Sequence, residues 1–229
     1  NRFVELLKQA HKARTLNEEY LVTLQNATVT NNYVKAYSFR TDQNYLSSGQ
    51  RGAIGVSYIP PPPSLANELM NQLLMLVNQP PKGIDPIVLA TIVSFAFVYI
   101  HPFMDGNGRL SRFLFHYVLC QMGGLKNGLL LPVSAVLRKD EIGYKAALES
   151  WSSKIRDYWN IIWFDRSQLQ LDLKGPDSHW DATSPVTYMF CMELRVRISV
   201  NRRKQYKDRV PAELFDFIEE LYIATKQKH

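Results

Sequence analysis

The sequence predicts a mostly α-helical domain carrying one small β-hairpin, and three features of its pattern lead there. Residues 87–100 are apolar on every side, interrupted only by Thr91 and Ser94. The run is too short to span a bilayer, so it reads as the central buried helix. Two other stretches carry apolar residues on a single helical stripe: Leu65, Leu69, Leu73, Leu74 and Val77 in one, and Leu110, Phe113, Leu114, Tyr117 and Val118 in the other. By contrast, residues 31–58 hold Asn, Thr, Ser and Gly between short apolar pieces, with Gly49, Gly52 and Gly55 three apart. That composition suits an extended segment and hairpin, not a helix.

Taken in order, residues 3–12 form an amphipathic helix with Phe3, Leu6, Leu7 and Ala10 on one side. A second helix is expected from Thr15, where Thr15 and Glu18 have the spacing of a capping box. The hairpin region follows, and Pro60 to Pro63 then form a stiff segment that no helix can cross. Ser64 is the expected cap of the third helix. Asp85-Pro86 opens the fourth, with proline at the favoured first position. After the loop at 101–109 comes a helix ended by Gly123-Gly124. Further helices are expected at 139–151, 152–164 and 185–200. A turn-rich loop is expected at 174–184, a basic run at 202–209 and a closing helix at 212–226.

Composition narrows the function classes. Hydrophobic residues at 46% and charged residues at 21% are ordinary for a globular chain and argue against disorder. The net charge of +6 suits a polyanion such as a nucleotide, a nucleic acid or a membrane surface, although solubility alone accounts for it equally well. Cys120 and Cys191 stand apart in apolar stretches, giving neither a disulfide framework nor metal-ligand spacing. With no signal-peptide pattern the expected compartment is the cytoplasm. Because the chain opens on Asn1, it is expected to be a trimmed piece.

The chemistry concentrates in HPFMDGNGRLSR at residues 101–112, where a buried helix ends, a glycine-rich polar loop follows and a new helix begins. Backbone N–H groups at a helix start, with the dipole behind them, make an anion site. Gly106 and Gly108 lack Cβ atoms, which allows a close backbone approach to a ligand. Arg109 and Arg112, three apart, project two guanidinium forks from the first turns and fit a di- or triphosphate. Asp105 is the only carboxylate of the loop. Beside phosphate it makes sense as a ligand of Mg²⁺, which commonly takes one carboxylate and phosphate oxygens. His101, at the end of the buried helix, is the expected general base. Together these residues point to phosphoryl or nucleotidyl transfer.

The same twelve residues resemble the signature of the Fic family, HPFx(D/E)GN(G/K)RxxR, at every specified position. The resemblance reaches upstream to residues 45–63 and downstream through residues 110–121. Weaker similarity continues to Asp181-Ala-Thr, so that about residues 15–200 are covered. It implies a Fic-type helical bundle with a hairpin flap over the active-site loop. The catalytic domain would occupy residues 1–200, with its core at about 15–165, and residues 201–229 would form a basic run and helix of an appendage. It further implies a protein adenylyltransferase, with ATP as substrate and Mg²⁺ as cofactor. His101 would deprotonate a Ser, Thr or Tyr hydroxyl of a target protein, or of the enzyme itself. Asp105 would hold the metal. Gly106, Asn107 and Gly108 would bind the α- and β-phosphates, and Arg109 and Arg112 the β- and γ-phosphates. Phe103 would anchor the loop, and Tyr45, Leu46, Ile54 and Tyr58 would form the target-docking flap. Family members that move phosphate or phosphocholine alter the Gly-Asn-Gly-Arg portion or the proline. The intact motif therefore favours AMP, with UMP, phosphate and phosphocholine as alternatives.

The resemblance is incomplete at one point. Many members carry an inhibitory (S/T)xxxE(G/N) helix whose glutamate pairs with the second motif arginine, here Arg112. Thr15 to Tyr20 comes nearest, but Tyr20 stands at the Gly/Asn position, so an inhibitory element is expected upstream of Asn1, in a partner chain, or nowhere. A homo-oligomer is compatible with the sequence, and no membrane contact is expected. Nucleic acid is disfavoured, the run at 202–209 being its sole support for a DNA-binding or adaptor role.

Overall fold

The computed structural model describes residues 2–12, 14–50, 52–125, 142, 148, 149, 152, 156, 159–163 and 169–173. Its helices are α1 (Arg2–Lys8), α2 (Glu18–Thr28), α3 (Pro63–Asn78), α4 (Pro86–Ile100) and α5 (Asn107–Gln121). Strands β1 (Leu46–Ser47) and β2 (Val56–Tyr58) pair antiparallel. Strands β3 (Trp159–Trp163) and β4 (Leu169–Leu173) form a second antiparallel pair. The architecture is mostly helical, as the pattern implied. No helix among the described residues is long and apolar enough to cross a membrane.

Helix α4 is the core of the domain. Asp85 caps it by accepting from the N–H groups of Ile87 and Val88, at 2.8 and 3.2 Å. Pro86 fits the first turn because its missing N–H would find no partner there in any case. Leu89, Ala90, Val93, Ala96 and Phe97 are then almost wholly buried. Helix α5 packs along α4, with Leu110, Phe113 and Leu114 inaccessible to solvent. Helix α3 covers α4 from another side, while α1 and α2 lie against α5. Tyr20 of α2 meets Phe113 edge-on at 6.4 Å between centroids. The two loop-facing ends, the C-terminus of α4 and the N-terminus of α5, are thereby clamped side by side.

Several boundaries differ from the local pattern. Helix α2 starts at Glu18, not Thr15. Its cap is Asn17, whose Oδ1 accepts from the Tyr20 N–H at 2.9 Å. The reason is long-range: the Asn78 side chain pairs with both backbone groups of Leu16, at 2.9 and 2.8 Å, and holds that residue outside the helix. Glu18 does not close a capping box; its carboxylate accepts from the Phe39 N–H at 2.7 Å. Helix α3 begins at Pro63 with Pro62 in the cap position and no side-chain cap, so Ser64 does not serve as one. Helix α1 ends at Lys8 instead of Lys12.

The largest departure is the expected helix at 152–164. Ser152 and Arg156 are helical, but residues 159–163 form β3. Trp159, Ile161 and Trp163 alternate along the chain, as do Leu169, Leu171 and Leu173. The register pairs these two sets across the hairpin. Aromatic and β-branched residues at period two favour that pairing over a helix. Among the described residues there are therefore two small hairpins where one was expected. Ile142, Leu148 and Glu149 are helical, in line with the helix expected at 139–151. The expected loop at 174–184, the helices at 185–200 and 212–226, the basic run, Cys191 and Asp181-Ala-Thr lie outside the described residues.

Candidate active site

Helix α4 stops at His101, which adopts the left-handed conformation with φ 52° and ψ 56°. It is the one non-glycine residue with positive φ among the described residues, a conformation that costs on the order of 1 kcal/mol. Its surroundings hold it there. The N–H donates to the Phe97 carbonyl at 3.0 Å. The carbonyl accepts from Arg40 Nε at 2.9 Å. The ring Nδ1 lies 2.9 Å from the Val98 carbonyl. A carbonyl can only accept, so Nδ1 carries the hydrogen and Nε2 presents a lone pair. Burial pushes the His101 pKa down to about 4; the Val98 hydrogen bond raises it, Arg40 lowers it and Asp105 raises it. Near neutral pH the ring is uncharged, in a fixed tautomer, with Nε2 able to accept a proton.

The loop beyond His101 is pinned from inside. Phe103 is buried and packs edge-on against Phe39, at 5.4 Å between centroids. Asn107 clamps the loop reciprocally: its Oδ1 accepts from the Phe103 N–H at 3.0 Å, and its Nδ2 donates to the Phe103 carbonyl at 2.7 Å. Asn44 Nδ2 reaches the same carbonyl at 3.2 Å. The expectation that the Asn107 side chain faces phosphate is thus altered: its carboxamide is turned inward and shapes the loop. Gly106 sits at φ 90°, and a Cβ there would stand 3.3 Å from Thr28 Oγ1. The left-handed turn and the neighbouring α2 together select glycine.

The start of α5 is what remains. Gly106 is the N-cap of α5 without a side-chain cap. Its own N–H donates to Asp105 Oδ1 at 2.6 Å. The N–H groups of Asn107 and Gly108 have no hydrogen-bond partner among the described residues, the condition in which a helix N-terminus receives an anion. Arg112 folds back over this turn, its Nη1 3.5 Å from where a Cβ on Gly108 would stand. Arg109 is exposed and donates to the Thr28 carbonyl, so its fork lies at the seam between α2 and α5. Asp105 is exposed at the rim. No cluster of three metal-ligating side chains occurs among the described residues. One exposed carboxylate beside a helix N-terminus without a side-chain cap would nevertheless fit Mg²⁺, a cation that keeps most of its water.

The hairpin at 45–58 divides the expected flap residues into two sets. Tyr45, Leu46 and Ile54 are exposed, Ile54 at 70%. Tyr58 faces the other way: it is buried, meets Tyr99 edge-on and donates its hydroxyl hydrogen to the Tyr99 carbonyl at 2.6 Å. Tyr58 therefore fastens the hairpin to α4 and is turned away from the exposed Tyr45, Leu46 and Ile54. Glu19 is exposed on α2.

Three residues that position the site were not singled out from the sequence. Gln25 is fully buried and binds the carbonyls of Val34 and Asp105, while its Oε1 accepts from the Ala36 N–H. A polar residue within the apolar stripe Leu21, Leu24, Thr28 was the available signal. Arg40 and Asn44 sit in an irregular polar stretch, where no periodicity marks a buried role.

The sequence profile of the Fic/DOC family matches residues 15–119. "Protein adenylyltransferase Fic" of Nematostella vectensis is 37% identical over 91 residues, which are 39% of this chain and 19% of that protein. "Probable protein adenylyltransferase aq_aa38" of Aquifex aeolicus is 27% identical over 140 residues, covering 52% of this chain and 42% of the relative. The chain thus spans less than half the length of these curated relatives. In fold it is similar to the crystal structure of a Fic family protein from Desulfovibrio desulfuricans G20, with a TM-score of 0.54 and 23% identity, covering 67% of this chain and 45% of that one. Over residues 15–119, somewhat less than half of its length, the chain is similar to the Fic/DOC family.

Proposed function

We propose that this chain transfers AMP from ATP to a hydroxyl side chain of a protein. The observation that carries this reading is the placement of a neutral histidine with a free Nε2 beside an uncapped helix N-terminus. The names of the relatives support the same class of reaction. The triphosphate would lie against the N–H groups of Asn107 and Gly108, with the guanidinium groups of Arg109 and Arg112 matching its charge. Mg²⁺ held by Asp105 would neutralise charge on the phosphates. The target hydroxyl would lose its proton to His101 Nε2 as its oxygen bonds to the α-phosphorus, and the bond to the β-phosphate oxygen would break to release pyrophosphate. Fixed dipoles and preset geometry are the main means by which such a site lowers the barrier.

The test uses ATP labelled with ³²P at either the α or the γ position. Incubation with Mg²⁺ should place the α label on protein and leave the γ label in pyrophosphate. His101→Ala should reduce labelling by on the order of a hundredfold or more, the usual contribution of a positioned base. Retention of the γ label would make the reaction phosphate transfer. Undiminished labelling by His101→Ala would remove the histidine from the mechanism.

A further inference from the structure

Arg40 lies outside the loop motif, yet it joins more of the site than any residue within it. Its side chain is 4% exposed, and no carboxylate lies within ion-pair distance among the described residues. Burial lowers its pKa to about 10. Backbone carbonyls take the place of a counter-ion. Nε donates to His101 O at 2.9 Å, one Nη to Asp42 O at 3.0 Å, and the other to Pro61 O. The Arg40 N–H adds a bond to Pro102 O at 2.8 Å. The His101 carbonyl belongs to the negative end of the α4 dipole, where a cation is favoured. Pro61 is the chain that leaves β2. One guanidinium thus joins the end of α4, the segment just after Arg40 and the exit of the β1–β2 hairpin, while the Arg40 N–H holds Pro102 at the start of the loop. A planar fork with fixed donor directions can do this, whereas a lysine ammonium, a point donor on a flexible stem, cannot hold all three.

We propose that Arg40 is a positioning residue for His101, locking the left-handed residue and the hairpin exit into one register so that the base faces the hydroxyl that the hairpin presents. The inference rests on the AMP-transfer reading for its consequence, and on geometry alone for its cause. Arg40 touches no reacting atom. Its loss displaces the base relative to the target while the phosphate nest of α5 keeps its own support from Asn107 and Gly106.

The experiment compares the full chain with Arg40→Lys, using Leu73→Ala in the core of α3 as a control for simple destabilisation. Folding is first checked by near-ultraviolet circular dichroism. With folded Arg40→Lys, kcat for protein labelling should fall about tenfold to a hundredfold, the scale of a misplacement near 1 Å, while KM for ATP stays within about threefold. The control should keep its kcat. In parallel, ¹⁵N spectra of the His101 ring should show a single neutral tautomer, protonated at Nδ1, in the unaltered chain and a mixture in Arg40→Lys. A folded Arg40→Lys with unchanged kcat and unchanged tautomer overturns the proposal. If the unaltered chain labels nothing with any nucleotide, the functional reading fails, but the tautomer comparison still decides the positioning role. If Arg40→Lys does not fold, the unaltered chain decides: a scalar coupling across the hydrogen bond from Arg40 ¹⁵Nε to the His101 carbonyl carbon supports the lock, and its absence overturns it.

Discussion

As the proposed base, His101 would be caught between two demands, since a base must be unprotonated to act and yet reachable by the proton it takes. Burial meets the first. With a native pKa of about 4 against an ordinary 6.5, the ring stays neutral where a solvent-exposed histidine would be charged. The linkage to stability has a definite direction. Between pH 6.5 and about 4 the unfolded chain binds a proton that the native ring refuses, so stability present above pH 6.5 is lost as the pH falls through that window. The loss from this group has a ceiling of about 3 kcal/mol. His116, also pushed down by burial, adds in the same direction. Urea midpoints at pH 7 and pH 4.5 should differ less in His101→Gln than in the parent chain. The acid limb of kcat/KM should likewise lie well below 6.5, and a limb at 6.5 would show that the ring is exposed in the working enzyme. A second test at this scale concerns Asn107. Asn107→Ala removes both clamps on Phe103 and leaves its buried N–H without a partner, costing about 2–3 kcal/mol. Thermal unfolding should register that loss, and labelling should fall with it even though no phosphate contact of the side chain is involved.

At the scale of elements, the hairpin has an inner face that fastens it to α4 and an exposed outer face, to which the proposed docking of a target would belong. Tyr58→Phe deletes the bond to the Tyr99 carbonyl, with an expected cost of about 1 kcal/mol in stability. Ile54→Ser lies on the exposed tip and should leave stability within about 0.5 kcal/mol of the parent. Its effect should instead be a higher KM for the protein target at unchanged affinity for ATP. Equal effects of the two variants on target KM would refute the division of faces. The helices show a similar allocation. Capping by Asp85 was legible because an Asx-Pro start is local chemistry. The start of α2 was not, since Asn78 reaches Leu16 across 62 positions of sequence. The strand β3 was misjudged because a five-residue apolar piece satisfies either period until its partner, residues 169–173, is in view.

Over the whole molecule, residues far beyond the family-matched domain still reach the site. Trp159 of β3 is buried in the same core as α4 and α5. Arg156 donates to the Ala53 carbonyl at 2.7 Å, tying the hairpin tip to the later part of the chain. Arg156→Ala should speed amide hydrogen exchange at 53–58 while leaving α4 and α5 protected, since local opening tracks local contacts. Unchanged exchange at the tip would mean that β1–β2 is held by Tyr58 and its neighbours alone. The sequence by itself determined the central apolar helix, the glycine-rich turn and the helix start that follows it. Each is a consequence of near-neighbour chemistry: side-chain periodicity, proline and glycine dihedral limits, and the unpaired N–H groups of a first turn. Tertiary structure alone decided the hold of Arg40 on the His101 and Pro61 carbonyls, the reach of Gln25 to the Asp105 carbonyl and that of Asn44 to the Phe103 carbonyl. Those contacts join residues far apart in the chain, and backbone carbonyls are chemically alike in every sequence until the fold selects which of them meet.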